Sequence, residues 1–501
     1  MAESEQLEMA MKLSMEEHKR EQKLKEHAFA ARQFRHRLLQ GEHKFFEALV
    51  QISRYLTMYR ITHQSSKEEL NILLRQQLSQ LNRCIPKGLH LPFGSSLDRV
   101  QEVVAIATQE CNVLVTPYKV HYQLIVEVRR NDELCSKVSR EAMDSKALYA
   151  QLPYIGAKGD ETISKSPKDK FDPSTLQSAL SNSPVEASVV VVPSGEEVHT
   201  QDPSLPPSAT KDLFPEPWSE QKRRIQNESN MATLPWAAGG WDCRNLIVKS
   251  HDDLRQDQLA AQLLTLFDTI YKEAGLSLPL QPYAVVATSG MCSGGGGLLE
   301  TLTDAISIDS LKKKRKQQQA NTSLAACFND LFGSSQEAKQ AFVQSMAAYS
   351  VFSYVLHVKD RHNGNILLCR NGAVAHVDFG IMLNVKYAKD VMELKIKLSS
   401  EFVEVMKDEM EQFKHLCQQG YLAVRRQSEK LLTLLEISKA GAGTGLPCLE
   451  GDACEQVKHR LRLDQNAAAA AKHMVGQINN AEKNVRTEIL ECFHNWTHSG
   501  I

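Results

Sequence analysis

Two short apolar runs, Ile366-Leu367-Leu368 and Ala373 to Val377, stand on either side of the turn signal Arg370-Asn371-Gly372 and predict a β-hairpin. Polar residues crowd both of its ends: Asp360, Arg361, His362, Asn363 and Asn365 before it, Asp378 with Phe379-Gly380 after it. A hairpin brings its ends together, so Asp378 is expected beside Asn365. Elsewhere the period changes along the chain. Apolar positions at helical spacing, Phe45, Phe46, Leu49, Ile52 and Leu56, then Leu70, Leu73, Leu74, Leu78 and Leu81, predict a helical hairpin over 42–84. From Leu89 to Arg130 the texture is that of strands. Residues 152–211 are rich in Ser, Pro, Lys, Asp and Glu with little periodicity, and are read as a disordered insertion.

Order returns with Phe214-Pro215-Glu216-Pro217-Trp218 and a short helix. A strand from Arg244 to Val248 then ends in Lys249, and an amphipathic helix follows, opened by His251 to Asp257 and carrying Leu259, Leu263, Leu266 and Ile270. A strand over Tyr283 to Ala287 comes next. Helices are expected at 323–333, 336–357, 401–418 and 421–439 and on to the end of the chain. The last helix, with Val485, Ile489, Leu490, Phe493 and Trp496, either packs on its own domain or lies on a bilayer.

Composition narrows the class. The 501 residues are 42% hydrophobic, enough for two or more cores. A net charge of -1 argues against bulk electrostatic binding of nucleic acid. Eleven cysteines without metal-ligand spacing are the mark of reduced thiols in a cytosolic protein. The longest apolar stretch, Phe342 to Val358, is broken by Gln344, Ser345, Ser350 and Ser353 and reads as a buried helix rather than a membrane span. The N-terminus has no hydrophobic signal core. The expectation is a soluble protein that visits membrane surfaces.

The hairpin ends carry the candidate chemistry. A carboxylate and an amide oxygen, Asp378 and Asn365, beside Asp360 or His362, suit magnesium held on a nucleotide's phosphates while an acid/base group handles a hydroxyl proton. The alternative is a hairpin whose polar ends are merely solvated. Lys249 is either a phosphate-binding point charge or an exposed lysine. The glycine run Gly294 to Gly297 lacks a following Lys-Ser/Thr, which disfavours a phosphate cradle, and is taken as a flexible insertion. Lys312 to Lys316 form a basic run, solvated or in contact with anionic lipid.

The order Asp360-Arg361-His362-Asn363-Gly364-Asn365 followed by a hairpin and Asp378-Phe379-Gly380, together with Asp252-Asp253-Leu254-Arg255-Gln256-Asp257, resembles the phosphoinositide 3- and 4-kinase superfamily, and within it the type III beta 4-kinases. That resemblance implies an α+β, two-lobed protein-kinase-like lipid kinase fold, with a β-rich N-lobe and a mostly helical C-lobe. The N-lobe would open over 85–151 and continue over 212–297, and 298–501 would form the C-lobe. It implies transfer of the ATP γ-phosphate to the 4-hydroxyl of phosphatidylinositol. Asp360 and His362 would be catalytic, without the sequence deciding which is the base. Lys249, Asp257, Tyr283, Glu300 and Leu302 would bind ATP, and Asn365 and Asp378 would hold Mg2+, with Mn2+ as the alternative ion. The segment Ser229 to Trp236 occupies the place of the phosphate-covering loop, and Glu300 to Leu302 that of the adenine-facing hinge.

Lys386, Lys389, Lys395 and Lys397 are the lipid-headgroup candidates. They form no dense basic box, which suits an unphosphorylated inositol ring. The family further implies peripheral association with the cytosolic face of internal, Golgi-like membranes. Residues 1–40 are strongly charged, and Leu7, Ala10, Ser14 and Glu17 share one helical face. They resemble a ubiquitin-interacting motif, which makes ubiquitin a candidate partner through residues 5–17; a plain solvated helix is the alternative. The rival functions are a phosphatidylinositol 3-kinase and a ubiquitin-binding pseudokinase scaffold.

Overall fold

The computed structural model describes residues 41–86, 88–93, 101–130, 213–234, 240–289, 294–386, 395–441 and 445–482. The candidate ubiquitin-contact residues, the insertion over 152–211, Lys389 and the final apolar helix lie outside the described residues.

Residues 41–63 are helical (α1), and α2 spans Lys67–Asn82. Ser66 starts α2 with a reciprocal capping box: its hydroxyl accepts from the Glu69 amide and the Glu69 carboxylate accepts from the Ser66 amide. Next come β1 (Gln101–Ile106), β2 (Asn112–Val115) and β3 (Val120–Arg130), then the helix α3 (Trp218–Glu228). β4 (Trp241–Ser250), α4 (Arg255–Glu273), β5 (Val285–Ser289) and β6 (Gly296–Glu300) follow. These strands form one antiparallel sheet in the order β1-β3-β4-β6-β5, with β2 paired to the start of β3. Phe45, Leu49, Leu56, Leu70, Leu74 and Leu78 of the helical pair bury one face of it against Val113, Tyr122, Leu124, Val248 and Leu298. The first helices therefore share a core with the sheet.

Beyond the sheet the chain is mostly helical. β7 (Ala305–Ser307) leads into α5 (Ile308–Gln317), α6 (Leu324–Phe332) and α7 (Gln336–Leu356). β8 (Ile366–Cys369) and β9 (Val374–His376) form the expected hairpin, in the register Ile366↔His376, and β7 pairs on its outer side. α8 (Ser400–Met406), α9 (Met410–Arg426), α10 (Ser428–Gly441), α11 (Ala453–Arg460) and α12 (Ala467–Glu482) complete the described chain. It is an α+β structure. Two helix boundaries differ from expectation. The helix expected over 401–418 breaks at Lys407, whose φ is 44°, and the next helix runs without interruption through 419–421.

α7 organises the helical part. Ser335 caps its start, accepting from the Ala338 amide, and every residue from Ser345 to Leu356 is buried. The helix stops at His357, which takes a left-handed conformation with φ 48°. The chain leaves it straight into the polar loop ahead of β8.

Candidate active site

Four segments converge: the end of β4, the first turn of α4, the loop 358–365 and the segment after β9. Two aspartates, Asp360 and Asp378, have φ of 57° and 60°, a region that Asp tolerates better than most residues and that recurs at functional sites. Arg361 ties the two loops to each other. It is 4% exposed, its Nε donates to the Lys359 carbonyl at 3.0 Å, its Nη1 to the Val377 carbonyl at 2.8 Å, and its Nη2 to the Asp378 carbonyl. Its guanidinium lies 5.1 Å from the centre of the Phe379 ring, which stacks on Tyr283 and meets Phe352 edge-on. Asn365 joins from the hairpin side: its carbonyl accepts from the Val377 amide at 3.1 Å, and its side-chain amide donates to the Asp360 carbonyl at 3.1 Å. Asp378 and Asn365 are thus neighbours, as the hairpin required.

The charges are balanced across this junction. Lys249 Nζ lies 4.0 Å from Asp378 Oδ2. Burial works against the Lys249 charge, yet Asp378, Asp257 and Asp252 outweigh it and hold its pKa above the usual lysine value. Lys249 in turn, helped by Arg361, holds the Asp378 carboxyl below the usual range. Asp257, in the first turn of α4, is 5% exposed, and burial pushes it up to about 6 against the pull of Lys249. It also accepts from the Phe379 amide. Gln256 beside it reaches the Gly380 carbonyl at 3.4 Å. In the loop 358–365, the Gly364 amide donates to His362 Nδ1 at 3.0 Å, while His362 Nε2 is 3.9 Å from Asp360 Oδ2.

The candidates from the sequence divide into three sets. Lys249, Asp257, Asp360, His362, Asn365 and Asp378 are brought together. Tyr283 is buried behind Phe379, with its hydroxyl unpaired, and Leu302 packs on the main core. Glu300 ends β6 where the chain leaves the sheet for β7, its amide bonding the Ala284 carbonyl at 2.8 Å and its carboxylate facing Arg244. Lys386 and Lys395 are exposed and Lys397 half-buried on the segment after Asp378. Burial, with Arg460 and Arg462 nearby, lowers the Lys395 pKa.

Two expectations are corrected. The segment from Ser229 does not cover the lysine. The Ser229 hydroxyl bonds the Glu127 carboxylate, and Glu127 pairs with Cys243, about six residues or roughly 20 Å down β4 from Lys249. The turn between β2 and β3 is at the right end instead: Lys119 donates to the His251 carbonyl at 2.9 Å and pairs with Asp252. The glycine run is not merely a flexible insertion. Gly296 and Gly297 are part of β6, paired with Ser250 and Lys249 of β4 and with β5. A Cβ on Gly297 would come within 2.1 Å of the Val286 carbonyl oxygen, so the close approach of backbones demands glycine there. The N-lobe sheet accordingly runs through Glu300, past the expected boundary at 297.

Sequence reasoning missed Lys119, His121 and Asp252 as neighbours of the site, and the pinning role of Arg361. The strand texture of β3 was visible, but not that β3 would pair with the strand carrying Lys249.

Residues 244–451 match the family model for phosphatidylinositol 3- and 4-kinase. A phosphatidylinositol 4-kinase of Dictyostelium discoideum is 34% identical over 295 residues, covering 56% of this chain and 24% of the relative. Phosphatidylinositol 4-kinase beta 2 of Arabidopsis thaliana is 39% identical over 247 residues, 47% of this chain and 21% of the relative. Phosphatidylinositol 4-kinase beta of Xenopus laevis is 27% identical over 518 residues, 92% of this chain and 61% of the relative. The chain thus spans less than two thirds of the length of these relatives.

Proposed function

We propose that this chain, whose residues 244–451 carry a kinase domain of the phosphatidylinositol 3- and 4-kinase family, transfers the γ-phosphoryl group of ATP to the 4-hydroxyl of phosphatidylinositol. The observation that carries the proposal is the meeting of Lys249 and Asp378 at 4.0 Å, with Arg361 binding the Asp360–His362 loop to the Asp378 segment. The names of the relatives, all 4-kinases, favour the 4-hydroxyl over the 3-hydroxyl.

A divalent cation fits the residues present. Asp378 has a side chain 54% exposed, and the Asn365 side-chain nitrogen donates one hydrogen to the Asp360 carbonyl, so the end each offers a cation is an oxygen. Among the described residues no three His, Cys, Asp or Glu side chains are placed to hold a metal ion between them, so waters and ATP phosphates would complete the shell, as Mg2+ prefers and Mn2+ accepts. Bound there, the ion would neutralise charge on the transferring phosphate.

The rest is done by the chain. Lys249 binds phosphate as a point charge, and the Asp257 carboxylate, in the first turn of α4, helps to keep that lysine charged. His362 Nδ1 already accepts from Gly364, so the neutral ring carries its proton on Nε2 and acts as a donor. That leaves Asp360 to accept the inositol hydroxyl proton, with His362 steadying developing charge. Lys386, Lys395 and Lys397 are the headgroup candidates. By family likeness the chain works peripherally on the cytosolic face of Golgi-like membranes. The spacing Leu7, Ala10, Ser14, Glu17 supports ubiquitin as a partner.

The test is transfer of labelled phosphate from Mg-ATP to phosphatidylinositol vesicles, with headgroup chromatography to assign the ring position. Label at the 4-position is expected. Label at the 3-position overturns the substrate assignment, and nucleotide binding without lipid turnover moves the chain to the scaffold class.

A further inference from the structure

The reaction described above leaves the buried imidazole of His121 without a task. His121 lies at the start of β3, one residue before Tyr122, which pairs with Val248, the residue before Lys249; carried one step further, that register puts His121 and Lys249 on one face of the sheet, and the charge of Lys249 reaches the ring. It is 8% exposed. Neither ring nitrogen has a hydrogen-bond partner among the described residues: Nδ1 is enclosed without one, and Nε2 stops 3.6 Å from Asp252 Oδ2. Leaving a buried polar atom unpaired is costly, and each such case in a native protein calls for an explanation. Lys249, Lys119, Asp252 and Asp378 surround the ring electrostatically. Burial first, then the charge of Lys249, push its pKa down to about 4. Near pH 7 the ring is therefore neutral, with one N–H to donate and one bare nitrogen.

We propose that His121 is a phosphate-contacting residue of the nucleotide site, its Nε2–H, the ring nitrogen that is not enclosed, donating to a phosphate oxygen of bound ATP beside Lys249. The assignment rests on the kinase reading. The two side chains would do different work. A lysine ammonium is a compact charge with freely rotating donors, so it neutralises a phosphate without orienting it. An imidazole N–H is fixed in the ring plane, and His121 is held by burial, so it adds direction without adding a second positive charge next to Lys249. The turn that carries Lys119 leads directly into His121, so the residue stands where the covering turn meets the lysine strand.

The experiment compares binding of ATP and of adenosine to the full chain as wild type, His121→Ala and His121→Gln, with KM and kcat for ATP measured in parallel. His121→Ala is expected to weaken ATP binding and raise its KM by about tenfold or more, the worth of a hydrogen bond to a charged group. Adenosine binding should stay unchanged and kcat should fall less than KM rises. His121→Gln, which restores an N–H near the Nε2 position, should recover most of the ATP affinity. Equal loss for adenosine and ATP would mean that His121 supports the fold and would overturn the assignment. Unchanged ATP binding in His121→Ala, or no recovery in His121→Gln, would overturn it too. A wild-type chain that binds no ATP would instead bring down the kinase reading itself, and this assignment with it.

Discussion

Asp257 is the residue whose ionisation most constrains the site. Its carboxyl is 5% exposed and burial raises its pKa to about 6, although Lys249 opposes the shift. The sign follows from linkage: between the unfolded value near 4 and the folded value near 6 the native state holds the extra proton. Its contribution is therefore fully present below about pH 4 and is lost as pH rises toward about 6. Asp257→Asn, which keeps the shape and cannot ionise, should gain on wild type by up to about 3 kcal/mol between pH 4 and pH 7 in denaturant unfolding. A difference that does not change with pH would show that the carboxyl is not titrating in the folded protein. Arg361 illustrates the opposite limit of legibility. Its place in the Asp-Arg-His run was plain from sequence, but its three carbonyl partners belong to the fold and join two segments the sequence does not pair.

At the scale of elements, the β8–β9 hairpin and the helix leading into it were legible because local signals and global structure agreed: Asn371-Gly372 supplied the turn, and the apolar stretch Phe342 to Val358 is the buried helix it was read as. The glycine run misled because composition alone suggests flexibility, while the requirement is steric and comes from a strand on each side. Gly297 opposes Lys249 on β4 and Ala287 on β5. Gly297→Ala should therefore destabilise the sheet by about 2–4 kcal/mol and weaken ATP binding with it, measured by denaturant unfolding and calorimetry. A change below about 0.5 kcal/mol, normal for a solvated surface position, would return the run to the status of a linker. The covering turn was misassigned for a similar reason. Ser229 follows a helix and precedes the lysine strand in sequence, yet its hydroxyl moors it at the other end of that strand.

At the scale of the molecule, the first two helices belong to the same core as the six-stranded sheet. Leu49 is fully buried, and the Tyr122 hydroxyl of β3 donates to its carbonyl at 2.8 Å. The helical hairpin expected from periodicity packs on the segment that follows it, covering one face of the sheet. Leu49→Ala should cost about 2–5 kcal/mol of stability and reduce ATP affinity in step, although the residue is no part of the site. Loss of stability without any effect on ATP would mean that the helical pair and the sheet are not coupled.

The account as a whole depends on a division of labour between Asp360 as proton acceptor and Asp378 as metal ligand. Single-turnover phosphate transfer to phosphatidylinositol vesicles, with Mg-ATP affinity measured on the same preparations of wild type, Asp360→Asn and Asp378→Ala, tests it most directly. Asp360→Asn should slow transfer by about 10²–10⁴-fold with Mg-ATP affinity intact. Asp378→Ala should abolish transfer and remove the Mg2+ dependence of nucleotide binding. Wild-type transfer in Asp360→Asn, or Mg2+-dependent binding preserved in Asp378→Ala, would contradict the account.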